Sequence, residues 1–313
     1  MNALVIDIGG TNTRVALASG PAIVPGSVRR YRNAEHAGLD AVLARYLSDA
    51  GTPPIQSACA ALAGPVRDGR GRLTNLDWTI DEADIARVTG ARRVRLINDL
   101  QAQGYALDHL SPGALIPVLH GPQVRGGARL VIGIGTGFNA AAVHAGPTGT
   151  LVTAAEAGHS TLPVSDEAGL SLARFAAGAD GFAAVEDILS GRGLEHAFGW
   201  ITSQAGSPRT MAAHSIVERA ATDPDAAQAL RLFADMLGVV AGDLALNHLP
   251  FGGLFLTGGV ARAVTPYLDA PGFAASFRAK GRFAPLMAEF AVHTVTDDFA
   301  ALTGCAGYLA GQG

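Results

Sequence analysis

Residues 3–8 (ALVIDI) form an apolar run broken only by Asp7 and rich in Val and Ile, which predicts a buried strand. Gly9-Gly10-Thr11-Asn12 follows as a turn, and residues 14–18 (RVALA) predict a second strand. A helical apolar rhythm runs over 35–49, and 55–63 reads as another strand. Asp68-Gly69 is a hairpin-turn signal between Val66 and Leu73. Residues 93–97 (RVRLI) predict a strand, with Asn98-Asp99 where it gives way to a helix over 100–107. The segment 111–127 holds Pro112, Pro117 and Pro122 among several glycines and reads as the crossing between two domains. The opening pattern then restarts: a strand over 128–134, a turn at Gly135-Thr136-Gly137, and a strand over 138–144. One recurrence at about a domain length points to two related halves rather than a solenoid. Downstream, helices dominate. The longest, over 224–248, is apolar on nearly all sides and is expected to be buried. A short strand over 253–257 ends at Gly258-Gly259, and a last helix over 299–309 is expected to pack back on the first domain.

Composition narrows the class. A chain of 313 residues has room for two domains. With 49% hydrophobic and 16% charged residues it can bury a sizeable core and is not disordered. Its 40 glycines cluster in short loops, where they permit tight turns and close backbone approach to a ligand. A net charge of −4 gives no basic footprint for nucleic acid or an anionic membrane. The sequence has no positively charged leader with a cleavage site and no apolar stretch long enough to span a membrane. Cys59 and Cys305, distant in sequence, make neither a disulfide framework nor a zinc knuckle. A cytoplasmic, reducing location fits these features.

Candidate chemistry gathers at the glycine turns. In Asp7-Ile8-Gly9-Gly10-Thr11-Asn12 two glycines let backbone N–H groups approach a triphosphate, Thr11 and Asn12 add donors, and Asp7 at a strand end is placed to hold Mg²⁺ through its waters. An ordinary hairpin with a buried acid at its edge is the structural alternative. The Walker pattern is absent, and the dinucleotide fingerprint fails because Gly9-Gly10 leads into a strand and the third glycine after Gly133-x-Gly135 is missing. Thr136 and Gly137 repeat the logic of the first turn. Gly258 and Gly259 offer a surface for adenine and ribose, or a left-handed turn into a helix. Asp99 is the candidate proton acceptor for an attacking hydroxyl, with a helix N-cap as its structural alternative. Glu156, His159 and Glu186 are suited to paired sugar hydroxyls. Their alternatives are a metal site, for which one Glu-x-x-His broken by Gly158 is not enough, and a solvated helix face around Glu186.

Several stretches together resemble the bacterial glucokinase family over nearly the whole chain. They are Asp7-x-Gly9-Gly10-Thr11-x-x-Arg14, Leu96-Ile97-Asn98-Asp99, Gly135-Thr136-Gly137, Glu156-x-x-His159, Glu186 ahead of Leu189-Ser190-Gly191, Leu244-Ala245-Leu246-Asn247 before Phe251-Gly252-Gly253, and Lys280-Gly281-Arg282-Phe283. The resemblance implies an α/β fold of two ribonuclease-H-like domains, the actin-like ATPase fold, flanking an active-site cleft. The small domain would take residues 1–110 and 298–313, the large one 111–297. It implies an ATP-dependent kinase acting on the 6-hydroxyl of glucose. Asp99 would be the general base, and Asn98, Glu156, His159 and Glu186 the sugar ligands. Asp7, Gly9, Gly10, Thr11 and Asn12 would hold phosphate and Mg²⁺, Thr136 and Gly137 the other phosphates, and Gly258 and Gly259 the adenosine. It implies a cytoplasmic enzyme, commonly a homodimer, with no nucleic-acid or membrane partner.

Three departures bear on specificity. Ala157 stands where the family usually has glycine, and its methyl is expected to crowd the sugar loop. Phe138-Asn139 replaces leucine-glycine, with Asn139 resembling the Gly-Thr-Gly-x-Asn of eukaryotic hexokinases. The Cys-rich zinc motif of repressor-type sugar kinases is missing. A kinase for another hexose or amino sugar shares every phosphate motif. A non-catalytic sugar and ATP sensor fits less well with Asp7 and Asp99 present. A filament or chaperone-type ATPase leaves Glu156, His159 and Glu186 unexplained.

Overall fold

Strand Asn2–Ile8 pairs antiparallel with Asn12–Ser19 on one side and parallel with Ser57–Leu62 on the other, and Ser57–Leu62 pairs parallel with Arg93–Asn98. Ala22–Ile23 and Arg29–Arg32 add antiparallel to Asn12–Ser19. Both faces of this sheet are covered. Leu4, Ile6, Ile8 and Val15 face a core shared with Val42, Leu43 and Tyr46 of helix Leu39–Asp49. Ala3, Val5, Ala16 and Ala18 face Leu302, Cys305, Ala306 and Leu309 of the last helix, Ala300–Gly311. Two-sided burial explains why the first strand is apolar at nearly every position instead of alternating. The last helix packs on this sheet as expected, and Arg93 Nη2 donates to Leu309 O at 3.1 Å.

The computed structural model describes residues 2–73, 76–147, 149–178, 181–268 and 271–311. The chain divides into one unit made of Met1–Pro112, Gly146–Ala154 and Asp297–Gly313, and a second made of Gly113–Ala145 and Ala155–Thr296. In the second unit, Arg129–Ile134 pairs antiparallel with Phe138–Gly146 and parallel with Leu254–Thr257, which pairs parallel with Val292–Val295. This is the pairing order of the first sheet, so the recurrence in the sequence is a recurrence in structure. Helix Pro224–His248 has 25 residues and starts sharply, because Asp223 accepts the N–H groups of Asp225 and Ala226 and proline occupies the first turn. Its buried residues lie on several faces, among them Phe233, Leu237 and Ala241.

The structure moves several boundaries. The helix expected over 35–49 begins at Leu39, behind a short 3₁₀ turn Asn33–Glu35, because extended backbone at Gly38 interrupts the rhythm. The segment 111–127 is more than a crossing. Leu115–Leu119 is a strand at the sheet edge, antiparallel to Val292–Val295, with its register shifting between Pro117 and Leu119. Edge position and irregular register are what admit proline to a strand. Asp68 and Gly69, at φ 52° and 73°, form the expected hairpin turn between Val66–Arg67 and Arg70–Arg72. Among the described residues no helix is long and apolar enough to cross a membrane.

Candidate active site

In the first unit Ile8, Leu62 and Asn98 lie in register across three parallel strands, so the Gly9 turn and Asp99 leave the sheet at the same edge. Carboxyl ends of parallel strands are where open α/β sheets bind ligands. The turn closes with Gly9 N–H donating to Asn12 O at 3.0 Å. Asp7 lies opposite Arg14 in the ladder, and Arg14 Nη1 meets Asp7 Oδ2 at 2.9 Å. Burial pushes the Asp7 pKa up, and Arg14 pulls it partly back.

Asn33, which the sequence did not single out, holds this turn from outside. Its side chain is buried, accepting from Thr13 Oγ1 at 2.8 Å and donating from Nδ2 to Gly9 O at 2.8 Å. Its own backbone N–H reaches Thr11 O at 3.0 Å. No local sequence signal links a residue to partners 20 to 24 positions upstream.

Helix Asp99–Ala106 is capped by Asn98, not by Asp99. Asn98 Oδ1 accepts from Leu100 N–H at 2.9 Å, Nδ2 donates to Gly64 O at 3.1 Å, and its backbone N–H donates to Gln101 Oε1 at 3.1 Å. Gln101 in turn donates to Val152 O at 3.0 Å. Asp99 is the first helical residue, half-buried, its Oδ1 accepting Leu100 N–H at 2.9 Å. The N-cap alternative for Asp99 is thereby corrected: the neighbour does that work.

In the second unit the turn closes with Gly135 N–H donating to Gly137 O at 2.9 Å. Helix Gly191–Gln204 begins against it, with Gly191 N–H donating to Gly135 O at 2.9 Å and Ser190 as the cap. The positive end of a helix therefore meets the turn. Thr136 is exposed. Glu186 is not on a solvated helix face but in a single 3₁₀ turn, Val185–Asp187. Its Oε2 accepts from Phe138 N–H at 3.0 Å, and Arg192 Nη2 lies 3.7 Å from its Oε1.

The loop carrying Glu156 and His159 packs directly on this turn. A side chain at Gly158 would collide with Phe138 O, so glycine is required there. Asn139 Nδ2 donates to Ala155 O at 2.6 Å, and its Oδ1 accepts from Ala157 N–H at 2.9 Å. The loop is thus clamped on both sides of Glu156. Ala157 is half-buried and packs against the core of its unit. Glu156 and His159 are exposed, yet partial burial of the Glu156 carboxyl raises its pKa, with nearby His159 lowering it and Glu186 raising it further. Glu156, His159 and Glu186 therefore form one electrostatic group, and Glu186 lies against Gly137.

The third glycine turn has a packing reason of its own. Gly258 has φ 102°, and a side chain there would strike the backbone of Ile134. The positive φ directly before a helix bears out the left-handed turn, and the close packing accounts for the glycine. Gly259 opens helix Gly259–Leu268. Lys280, in a stretch that carried the resemblance, is structural: only 9% of its side chain is exposed, and Nζ donates to Val239 O at 2.9 Å and Asp243 Oδ1 at 2.6 Å.

For metal, the described residues hold no cluster of three or more His, Cys, Asp or Glu suited to an ion. Asp7, one carboxylate shared with Arg14, fits a magnesium that keeps its waters and arrives on phosphates, not a cage built by protein.

The glucokinase family model matches residues 4–312. The glucokinase of Cupriavidus metallidurans is 33% identical, over 98% of this chain and 93% of its own, and that of Marinobacter nauticus 32% identical over 97% and 96%. Among solved structures, glucokinase from an Antarctic psychrotroph superposes with a TM-score of 0.85 at 29% identity, covering 98% of both chains. Glucokinase from Balamuthia mandrillaris in complex with glucose gives 0.83 at 22% identity, over 100% of this chain and 94% of that one, a likeness of fold. The fold is the α/β actin-like ATPase fold, and the chain belongs to the glucokinase family.

Proposed function

We propose that this protein is an ATP-dependent glucokinase that transfers the γ-phosphoryl group of ATP to the 6-hydroxyl of D-glucose. The observation that carries the reading is the bond from Phe138 N–H to Glu186 Oε2. It joins a carboxylate suited to sugar hydroxyls to a turn suited to phosphate, as a kinase for a hydroxylated acceptor requires.

The roles follow from chemistry. Asp99 accepts the proton of the 6-hydroxyl as the oxygen–phosphorus bond forms and the bond from the γ-phosphorus to the bridging oxygen breaks, releasing ADP. Asn98, Glu156, His159 and Glu186 grip the other hydroxyls. Backbone and side-chain donors of Gly9, Gly10, Thr11 and Asn12, with Thr136 and Gly137, hold the phosphates, and Gly258 and Gly259 face the adenosine. Asp7 would hold magnesium. When bound, that ion neutralises charge developing on the phosphates. Positioning and charge stabilisation supply most of the acceleration. We place the enzyme in the cytoplasm, where ATP is supplied and Cys59 and Cys305 stay reduced, and assign it a homodimer, which sedimentation tests.

The experiment is ADP release with Mg-ATP across a panel of hexoses and amino sugars. Glucose-dependent turnover that Asp99→Ala reduces by about 10³-fold or more, with sugar binding retained, is expected. Turnover only with another sugar moves the specificity, and a fully active Asp99→Ala removes the base assignment.

A further inference from the structure

We infer that Asn33 is a positioning residue for the nucleotide, setting the peptide planes of the Gly9–Asn12 turn before ATP arrives. The inference rests on reading that turn as a triphosphate cradle. Such a cradle works through N–H groups, so its carbonyls have to be turned away from the ligand. Asn33 does this at two places, taking Gly9 O with Nδ2 at 2.8 Å and Thr11 O with its backbone N–H at 3.0 Å. In a trans peptide the N–H points opposite to the carbonyl of the same plane. Fastening Gly9 O and Thr11 O therefore directs the N–H groups of planes 9–10 and 11–12 away from Asn33.

The third contact fixes the brace itself. Thr13 Oγ1 donates to Asn33 Oδ1 at 2.8 Å, and a flipped carboxamide would lose the bond to Gly9 O and set its own oxygen against that carbonyl. Thr13 is fully buried and Asn33 is 1% exposed, so water does not compete for these groups. Asn33 is held in turn by the edge strand Arg29–Arg32, whose Arg32 lies opposite Asn12 in the ladder. Asparagine suits the place because one short side chain offers a donor and an acceptor together. Aspartate keeps the bond from Thr13 but sets oxygen against Gly9 O.

The test is steady-state kinetics on the full chain, varying Mg-ATP and hexose separately, for Asn33→Ala, Asn33→Asp and Thr13→Val. A misaimed cradle costs nucleotide efficiency more than sugar efficiency. We expect kcat/KM for Mg-ATP to fall about 10- to 100-fold in both Asn33 variants and about 3-fold in Thr13→Val, with the hexose KM within about 2-fold of wild type. Equal losses for both substrates, or no loss for Mg-ATP in any variant that folds, overturn the inference. Thr13→Val preserves shape and remains decisive should either Asn33 variant fail to fold. Amide exchange of residues 9–13 in the wild type separates the two layers of the claim. No slowing by Mg-ADP means the cradle reading has failed and the inference with it. Slowing without any kinetic effect of the variants means the brace alone has failed.

Discussion

Gly9–Asn12 in the first unit and Gly135–Gly137 in the second occupy the same place in the same strand order, each joining the two antiparallel strands of its sheet. The side chains that hold them differ in charge and in exposure. The first turn is braced by neutral, buried Asn33. The second is fastened through Phe138 N–H to the carboxylate of half-buried Glu186, which lies within reach of Arg192 and in the field of Glu156. A buried neutral brace has no alternative partner in solvent, so the first turn is preset. A charged, accessible one can exchange its bond for a ligand hydroxyl, so the second turn responds to whatever occupies Glu186. On the proposed roles, the same backbone logic thus yields one preset phosphate turn and one coupled to the sugar site.

The sharpest way to break that comparison is Glu186. Glu186→Ala removes the hydroxyl ligand and the acceptor of Phe138 N–H together, and kcat/KM for hexose is expected to fall about 10³-fold, or about 4 kcal/mol. Glu186→Gln keeps an acceptor for Phe138 but loses the charge. If the coupling is real, it raises the hexose KM with a smaller loss in kcat than alanine, as separate titrations of sugar and Mg-ATP would show. Equal losses from both substitutions would mean that charge alone matters.

Next in size is Gly258, which sits behind the second turn. It lets strand Leu254–Thr257 turn into helix Gly259–Leu268 while its backbone touches Ile134, one residue from Gly135. Gly258→Ala meets both an unfavourable φ and a backbone collision, and is expected to cost about 2–4 kcal/mol in denaturant unfolding. A neutral result would show that the second turn tolerates displacement from behind.

A smaller effect is expected at Asn139, which clamps the Glu156 loop. Asn139→Gly frees Ala155 O and Ala157 N–H on either side of Glu156. The hexose KM should rise about 5- to 10-fold, near 1 kcal/mol, with the Mg-ATP KM unchanged. A shift in the Mg-ATP KM instead would place the clamp on the phosphate side.

What the sequence disclosed and what it concealed divide along a physical line. Ala3–Ile8 and Arg129–Ile134 were legible because strands buried on both faces read as continuous apolar runs, and Asp68-Gly69 because a type I′ turn needs two residues at positive φ. Helix Pro224–His248 announced its burial by being apolar on nearly all sides. The strand Leu115–Leu119 was hidden by its proline, which marks a linker unless the position is known to be an edge. In the candidate site, residue types at the turns were readable, but the ties between them were not. Glu186 reaches Phe138 across 48 positions and Asn33 reaches Gly9 across 24, and such pairings have no periodicity to betray them. Asn98 and Asp99 both had the chemistry of a cap, and only the helix start decided between neighbours.

The gentlest probe of the two regions is pH. In the second unit burial lowers the pKa of His248, helped by nearby His144, and that of His293, helped by nearby His120. His293 Nδ1 is buried without a partner, and its ring stacks on Phe255 with centroids 5.6 Å apart. A histidine with a depressed folded-state pKa takes its proton first in the unfolded chain. Its contribution is therefore level above the ordinary value of 6.5 and falls as pH drops through that value toward the folded-state pKa. Asp7 in the first unit has the opposite sign: its raised pKa makes the folded state the better proton acceptor, so acidification relieves the cost of burying its charge. Lowering pH from about 7.5 to 6 should thus loosen the second unit without loosening the first, where protonating Asp7 acts in the opposite direction. After allowance for solvent screening at these half-open histidines, the expected fall in unfolding temperature of the second unit is about 1–2 °C. Amide exchange followed unit by unit across this range is the measurement. With the intrinsic pH dependence of exchange divided out, lower protection in Leu254–Thr257 and Val292–Val295 with undiminished protection in Asn2–Ile8 supports the contrast, whereas an equal loss in both sheets assigns the acid sensitivity elsewhere.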